Sequence, residues 1–552
     1  MSRCRGERRW PDGRPVSSPG QRPSPGGSVS PRRTLLRGTL AAVLCAAVLP
    51  AWGTSGRDRR NPAPPGAEAA TAAYMEAVRT DRRALRAFLH ALPKGADLHN
   101  HLGGAASTEL LVDLAARDGL CIEKERLRAV PPPCPAGGRP AADVHADRAF
   151  HRHLVRAWSM QDFRPGRESG HDHFFATFEK FEPVEIGHMG RLLSEVADRA
   201  AAQHQFYLET MVTHATAGVA ALAARAGFDP DLGRLRGRLL AGDGLGRLVA
   251  RARAAMDRSA AEFRAASRCG TRRPRPGCGL EIRFITQVDR SAAPEQVFTE
   301  LLLGFELARR DRRFVSVNLV SPEDGAVALR DYGLHMRMLH RLHAWYPRVP
   351  VTLHAGELVP GLVGPEDLRS HIRQAVLTGH AQRIGHGVDI GWEDASRELL
   401  ETMAARRILV EIPLVSNAQI LGVAGRRHPF ALYREHGVPV ALATDDAGVE
   451  RSDITAEYER AVTAHRLGYR ALKDLARTSL EYGFLPGRSL WRDRGGFVLA
   501  EPCARERPGG PGPRAACAAL LAGSAKAAVQ WKQEVAFARF EERVARLPGA
   551  VR

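Results

Sequence analysis

At 552 residues the chain can bury a large core, and its 44% hydrophobic and 26% charged content are those of an ordinary soluble globular protein. The formal charge of +19 is carried mostly by arginine scattered along the chain. With no lysine block and no recognised nucleic-acid module, that excess reads as a solvated basic surface and excludes a specific nucleic-acid partner.

Residues 1–53 read as a disordered n-region followed by an export signal. Pro, Gly, Ser and Arg fill residues 1–31, then Arg32-Arg33-Thr34-Leu35-Leu36-Arg37-Gly38 precedes the uncharged run Thr39–Trp52. The arginine pair is twin-arginine-like, and the run falls short of the ~20 apolar residues that span a bilayer. An exported chain, periplasmic or extracellular, is expected, with membrane attachment only through an uncleaved signal. Residues 54–85 are expected to be a linker and an N-terminal helix.

Residues 86–491 carry short β-type runs separated by helix-length stretches. The strands are read as Gly95–Leu102, Gln205–Val212, Leu280–Val288, Phe314–Val320, Val349–His354, Ala381–His386, Ile408–Pro413 and Val438–Thr444. Helical patterns lie between the later ones, as in Leu329–Trp345, Pro365–Thr378 and Asp394–Arg406. Strands alternating with helices indicate parallel βαβ units, and eight of them fit an α/β fold, a (β/α)₈ TIM barrel. Residues 103–204 and 213–279 are long, mostly helical insertions after the first and second strands, expected to cap the barrel mouth. Residues 492–552 read as a disulfide-flanked loop and a final helix, Ala515–Leu547, packing on the barrel through Trp531, Val535, Phe537 and Phe540.

Beyond Cys4 and Cys45 in the leader, six cysteines remain. They form near pairs around Pro/Gly-rich loops: Cys121 with Cys134, Cys269 with Cys278, Cys503 with Cys517. This suits an oxidising compartment, although six cysteines allow fifteen connectivities. None has CxxC spacing, which argues against a zinc ribbon.

Chemistry concentrates at strand ends. In Asp97-Leu-His99-Asn-His101 the two histidines are two residues apart, so both face the barrel axis and can bind a divalent metal. His354-Ala-Gly-Glu357 adds a third imidazole and a carboxyl whose pKa a pocket can raise for general-acid work. Gly385-His386-Gly387 leaves an imidazole unobstructed, as a metal ligand or a base. Thr444-Asp445-Asp446 ends an apolar strand on two carboxylates; a hard cation would satisfy one and leave the other for substrate.

These motifs, with PKGADLHNHLGGA, HFFATFEKF, VTLHAGE, RIGHGVD, IPLVSN, GVPVALATDDAGV and SLEYGFLPGRSLW, resemble the adenosine deaminase family of the amidohydrolase superfamily, and within it the secreted growth-factor-like branch. The resemblance implies one zinc ion held by His99, His101, His354 and Asp445, with water activated beside it. His386 would accept the water's proton, Glu357 would protonate purine N1, and Asp446 would hold the N7 edge. It implies a small-molecule purine nucleoside as substrate, adenosine or 2′-deoxyadenosine, with release of ammonia. Nothing in the resemblance fixes an oligomeric state, a homodimer included.

The chain departs from the family where substrate is read. Gly103 stands where many members have an aspartate thought to bond the ribose 5′-hydroxyl, and Ser321-Pro322-Glu323-Asp324 stands where they have Gly-x-Glu. Ser321 keeps the backbone N–H offered to purine N3 in a narrower space. Glu209 is expected at the rim, facing substrate or pairing an arginine, and His173, Phe174 and Phe178 as a lid over the purine or as helix packing.

Rival readings are deamination of another aminopurine and a secreted, non-catalytic purine- or polyanion-binding protein. A two-metal amidohydrolase would use a bridging lysine, and no lysine ends the fourth or fifth strand run here. The cytidine-type deaminase motifs, H-x-E and P-C-x-x-C, do not occur.

Overall fold

The computed structural model describes residues 66–214, 216–510 and 512–547; the expected export signal lies outside the described residues. Eight parallel strands form its centre: β1 Gly95–Asp97, β2 Gln205–Val212, β3 Glu281–Asp289, β4 Phe314–Val320, β5 Thr352–Ala355, β6 Arg383–His386, β7 Leu409–Ile412 and β8 Val440–Leu442. β1 to β4 pair in sequence order in one sheet and β5 to β8 in another. A parallel bridge between Val317 and Val351 joins β4 to the start of β5.

The other seam, between β1 and β8, is where the site is assembled. Asp445 N–H donates to the His99 carbonyl at 2.9 Å, and His101 N–H donates to the Asp445 carbonyl at 3.2 Å. Below them the Thr444 hydroxyl donates to Asp97 Oδ2 at 2.6 Å. With both seams bridged the sheet is a closed (β/α)₈ barrel.

Observed strands are mostly shorter than the apolar runs. The first run was expected to reach Leu102, but the ladder ends at Asp97, whose carboxylate takes the Thr444 N–H and hydroxyl. Pro365–Thr378 is helical only over His371–Leu377. That helix begins where Glu393 Oε1 accepts the Ile372 N–H at 2.5 Å, capping its first turn.

The final helix is two helices, Ala515–Gly523 and Ala525–Val544, broken at extended Ser524, whose hydroxyl caps the second through Ala527 N–H. Trp531, Phe537 and Phe540 are buried, with Phe540 against Phe88. All three near pairs of cysteines are disulfides: Cys121–Cys134, Cys269–Cys278 and Cys503–Cys517.

The two insertions part company. In the first, the helix Gly170–Glu185 lies against Leu414–Ile420, which follows β7, and against Leu102–Ala105, which follows β1, so it reaches the mouth. The second forms helices Thr216–Ala226, Leu232–Leu240 and Gly244–Ala266. The last of these packs along Met189–Ala202 and Pro294–Arg310, so the cap expected from this insertion is instead a flanking layer. Its alanine and leucine stripe faces those outer helices rather than the strand ends. Among the described residues no helix is long and apolar enough to cross a membrane.

Candidate metal and catalytic site

The strand ends bring His99, His101, His354, His386 and Asp445 together. Asp445 Oδ1 lies 3.5 Å from His99 Nε2 and 3.4 Å from His101 Nε2, while its Oδ2 lies 3.7 Å from His386 Nε2. His101 Nε2 and His354 Nε2 face each other at 3.2 Å. Two overlapping groups have metal-binding spacing, His99-His354-His386-Asp445 and His101-Asp445-Asp446. His386 and Asp445 both adopt positive φ, 68° and 55°, a backbone cost that turns their side chains inward at the strand ends. Gly385 makes room beneath: a Cβ there would stand 2.5 Å from His99 Cε1.

Which nitrogen of each ring carries the proton follows from its outer partner. Nδ1 of His99 faces Glu411 Oε2 at 2.8 Å, that of His101 faces Gln287 Oε1 at 2.9 Å, that of His354 faces Asn318 Oδ1 at 3.0 Å, and that of His386 faces Asn417 Oδ1 at 2.9 Å. The amide orientations are fixed by second bonds. Gln287 donates to Thr213, Asn417 to His428, and Asn318 Oδ1 also accepts the His354 backbone N–H.

An oxygen acceptor at every Nδ1 places the proton there and leaves each Nε2 a bare lone pair aimed at the centre. Nε2 of buried His99 and of buried His386 has no hydrogen-bond partner. Bare lone pairs converging on a carboxylate are repulsive by themselves, and they suit a divalent cation of nitrogen and oxygen preference. The donor set fits such a metal.

Asp445 is anchored by the Ser416 hydroxyl, which donates to its Oδ2 at 2.8 Å. Burial raises Glu357 to about 7, with His386 opposing and Asp445 adding; its Oε1 lies 3.8 Å from His386 Nδ1. Asp446 is pushed well above the ordinary carboxylate range by burial and then by Asp445 and Glu450, and its Oδ1 has no partner. Glu323 takes the N–H groups of Gly356 and Glu357, both at 3.0 Å. Burial works to raise Glu323, but the 2.6 Å bond to His371 and the Arg290 charge override it and hold the group at about 2. The turn bearing Glu357 is therefore pinned to a permanent anion.

The remaining expected residues behave differently. Ser321 adopts φ 79° and donates its hydroxyl to Asp289 Oδ1 at 2.7 Å. Glu209 was expected at the rim; it is instead fully buried inside the barrel, taking Arg383 at 2.6 Å and the Tyr207 hydroxyl at 2.7 Å. β2 runs three residues beyond it, which sets it below the mouth and leaves its arginine-pairing role. His173 Nε2 faces the Ser159 carbonyl at 2.9 Å, and Phe174, Phe178 and Phe181 form a chain of ring contacts with Trp158. Those contacts are helix packing.

Sequence reading missed the outer partners Glu411, Gln287, Asn318, Asn417 and Glu323. Glu411 could have been found as a carboxylate inside the apolar run Ile408–Ile412. It also pairs Arg383 at 2.5 Å, so an ion chain Glu209–Arg383–Glu411 runs through the barrel to His99.

Residues 251–490 match the family described as adenosine deaminase. The adenosine deaminase of Salmonella typhi is 33% identical over 217 residues, 38% of this chain and 59% of that protein. That of Escherichia coli (strain SMS-3-5 / SECEC) is 38% identical over 136 residues, 24% of this chain and 38% of that protein. The chain thus spans about six-tenths of the first of these relatives and less of the second. Among solved structures, the Arabidopsis N6-mAMP deaminase MAPDA is similar at 21% identity and TM-score 0.48, over 72% of this chain and 95% of that one. The match runs from the helix Gly244–Ala266 through the strand ends bearing His354, His386 and Asp445, so the part of the chain that carries these residues is similar to the adenosine deaminase family.

Proposed function

We propose that the chain is an exported, zinc-dependent hydrolytic deaminase of 6-aminopurine nucleosides, of the secreted growth-factor-like branch, with adenosine or 2′-deoxyadenosine as substrate. The convergence of four imidazole Nε2 atoms around Asp445 carries this reading. His99, His101, His354 and Asp445 would hold one zinc ion. When bound, zinc supplies Lewis-acid chemistry, lowering the pKa of water from 15.7 to about 7.

The protein's own groups supply the proton traffic. His386 stands on the second oxygen of Asp445, and Asn417 fixes its Nδ1–H, so Nε2 is free to take a proton. Glu357, raised to about 7, still holds a proton near neutrality and gives it to a purine ring nitrogen, making C6 electrophilic. Asp446, kept protonated by its acidic neighbours, offers a hydrogen to the imidazole-side nitrogen and holds the ring in register. Oxygen adds at C6, the C6–N bond breaks, and ammonia leaves with the proton delivered.

Three disulfides support an oxidising destination. A second reading, deamination of another aminopurine, is favoured by Ser321, whose side chain occupies a left-handed position at the fourth strand end. Ammonia release from a panel of aminopurines and their nucleosides, with metal content measured on the same preparation, tests both. One zinc per chain with turnover of a nucleoside is expected; bound metal with no turnover of any 6-aminopurine would leave only a binding role.

A further inference from the structure

The turn after β4 carries two consecutive acids that serve different neighbours. Pro322–Gly325 closes through the Gly325 N–H to the Pro322 carbonyl at 3.2 Å, with Glu323 and Asp324 as its central residues. Ser321 ties the base of the turn to Asp289, and Pro322 has little backbone freedom. Glu323 is 2% exposed and takes the N–H groups of Gly356 and Glu357. Asp324 instead meets the first insertion: its Oδ1 lies 3.0 Å from Nε2 of His171, in the first turn of the helix Gly170–Glu185.

The His171 and Asp324 side chains are each only 18% exposed. Nδ1 of His171 faces Asp172 Oδ1 at 3.0 Å, so both ring nitrogens donate and the ring is an imidazolium. Burial opposes that charge, but the bonds to Asp324 and Asp172 override it and hold the group at about 9. The Phe175 ring centroid lies 4.8 Å from that of His171, so the imidazolium is held by its own helix as well as by the turn it meets. One residue earlier, Gly170 approaches the Gln419 carbonyl so closely that a Cβ would stand 1.8 Å from it. Neighbouring residues of one helix end thus touch the segments after β4 and after β7. Between those strands lie β5 and β6, whose ends lead to Glu357 and His386.

We infer that His171 is a positioning residue for the proposed general acid: through Asp324 and Glu323 it couples the seating of the first-insertion helix to the placement of Glu357. The inference rests on the deaminase reading above and brings a helix from outside the barrel into its proton delivery. The route is short and stiff. His171 holds Asp324, the turn carries that restraint to the adjacent Glu323, and Glu323 grips two consecutive N–H groups at the base of Glu357. A general acid must stand within hydrogen-bond reach of the atom it protonates, and a 1 Å misplacement can cost about 100-fold. None of the candidate metal donors lies on this route, so its loss falls on kcat and spares the metal.

Kinetics with adenosine at pH 7, where His171 is charged, test the coupling. His171→Ala is expected to lower kcat about 10-fold, with KM and metal content near those of the unmutated protein. Asp324→Asn cuts the ion pair from the other side without touching the helix, and is expected to give a similar loss. His171→Arg restores a cation to Asp324 and is expected to recover most of the activity. In a Glu323→Gln background, whose carboxamide can accept only one of the two N–H groups, His171→Ala is expected to cost nothing further. In the metal-stripped protein, His171→Ala is expected to speed hydrogen exchange at the Gly356 and Glu357 amides at least about 5-fold, with the β2 amides unchanged.

An unchanged kcat in both His171→Ala and Asp324→Asn would overturn the coupling and leave the deaminase reading intact. So would an equal loss from His171→Ala with and without Glu323, which would assign the effect to helix packing. Failure of the unmutated, zinc-loaded protein to turn over any 6-aminopurine would defeat the deaminase reading, and this inference with it.

Discussion

Each imidazole of the candidate site is held by one outer oxygen, and these contacts have unequal strength. Glu411 is ionised and paired on its far side with Arg383, so its hold on His99 is a charge-assisted bond; the amides facing His101, His354 and His386 are neutral. Glu411→Gln is therefore expected to weaken binding of the proposed metal about 10- to 100-fold, read by competition with a chelator, with the fold retained. His354→Ala removes a donor outright, and elemental analysis is expected to find the metal content falling from one per chain to near zero. Glu357→Gln should keep the metal and lose about 100- to 10,000-fold in kcat, since its carboxamide has no acidic proton to give. Retention of full activity by that variant would exclude Glu357 as the acid.

The histidines that the strand ends bring together were legible in the sequence as candidates because a two-residue spacing on a strand and glycine-flanked histidines have few other uses. Their partners were not, since a lone Asn or Gln inside a strand has no signature until the neighbouring strand is in place.

Elements read best where packing alone decides them. β2 and β4 have the limits their β-type runs predict, being buried along nearly their whole length. Prediction overran where a polar contact ends an element early, as Asp97 does for β1, Glu393 for the helix after β5, and Ser524 for the last helix. Ser524→Ala is expected to cost about 1 kcal/mol in urea unfolding, through loss of the cap.

Glu323 pins the turn after β5 and supplies a pH test. Its folded pKa, about 2, lies below the ordinary 4.5, so its contribution is complete above that ordinary value and fades as pH falls from there toward 2. The full difference corresponds to about 3 kcal/mol at neutral pH. The stability gap between the unmutated protein and Glu323→Gln should narrow steadily below pH 5 in denaturant titrations. A gap independent of pH would assign the effect to packing.

At the scale of the whole molecule, the barrel is a sheet fastened at two seams and wrapped by two insertions and a C-terminal segment, each with one loop tied by a disulfide, of sequence separation 13, 9 and 14. Closing loops of this size contributes about 3 kcal/mol each in the chain-entropy account. The double variant Cys503→Ser/Cys517→Ser is expected to lower the unfolding midpoint measurably, and to leave the distant metal content alone. The eight-strand count and the cysteine pairs were visible in the chain. The division of labour between the insertions was not, because an amphipathic helix announces that it packs without saying on what.

Asp445 gives its backbone to the seam and its carboxylate to the candidate metal centre, with His99 and His101 doing the same from the opposite strand. The ion would then act as a rivet through the staves, so that its loss springs the hoop as well as stopping the chemistry. Chelation should speed hydrogen exchange at the amides of His101 and Asp445 ahead of those in β2 to β4, and a uniform change across all eight strands would show the two jobs to be separable.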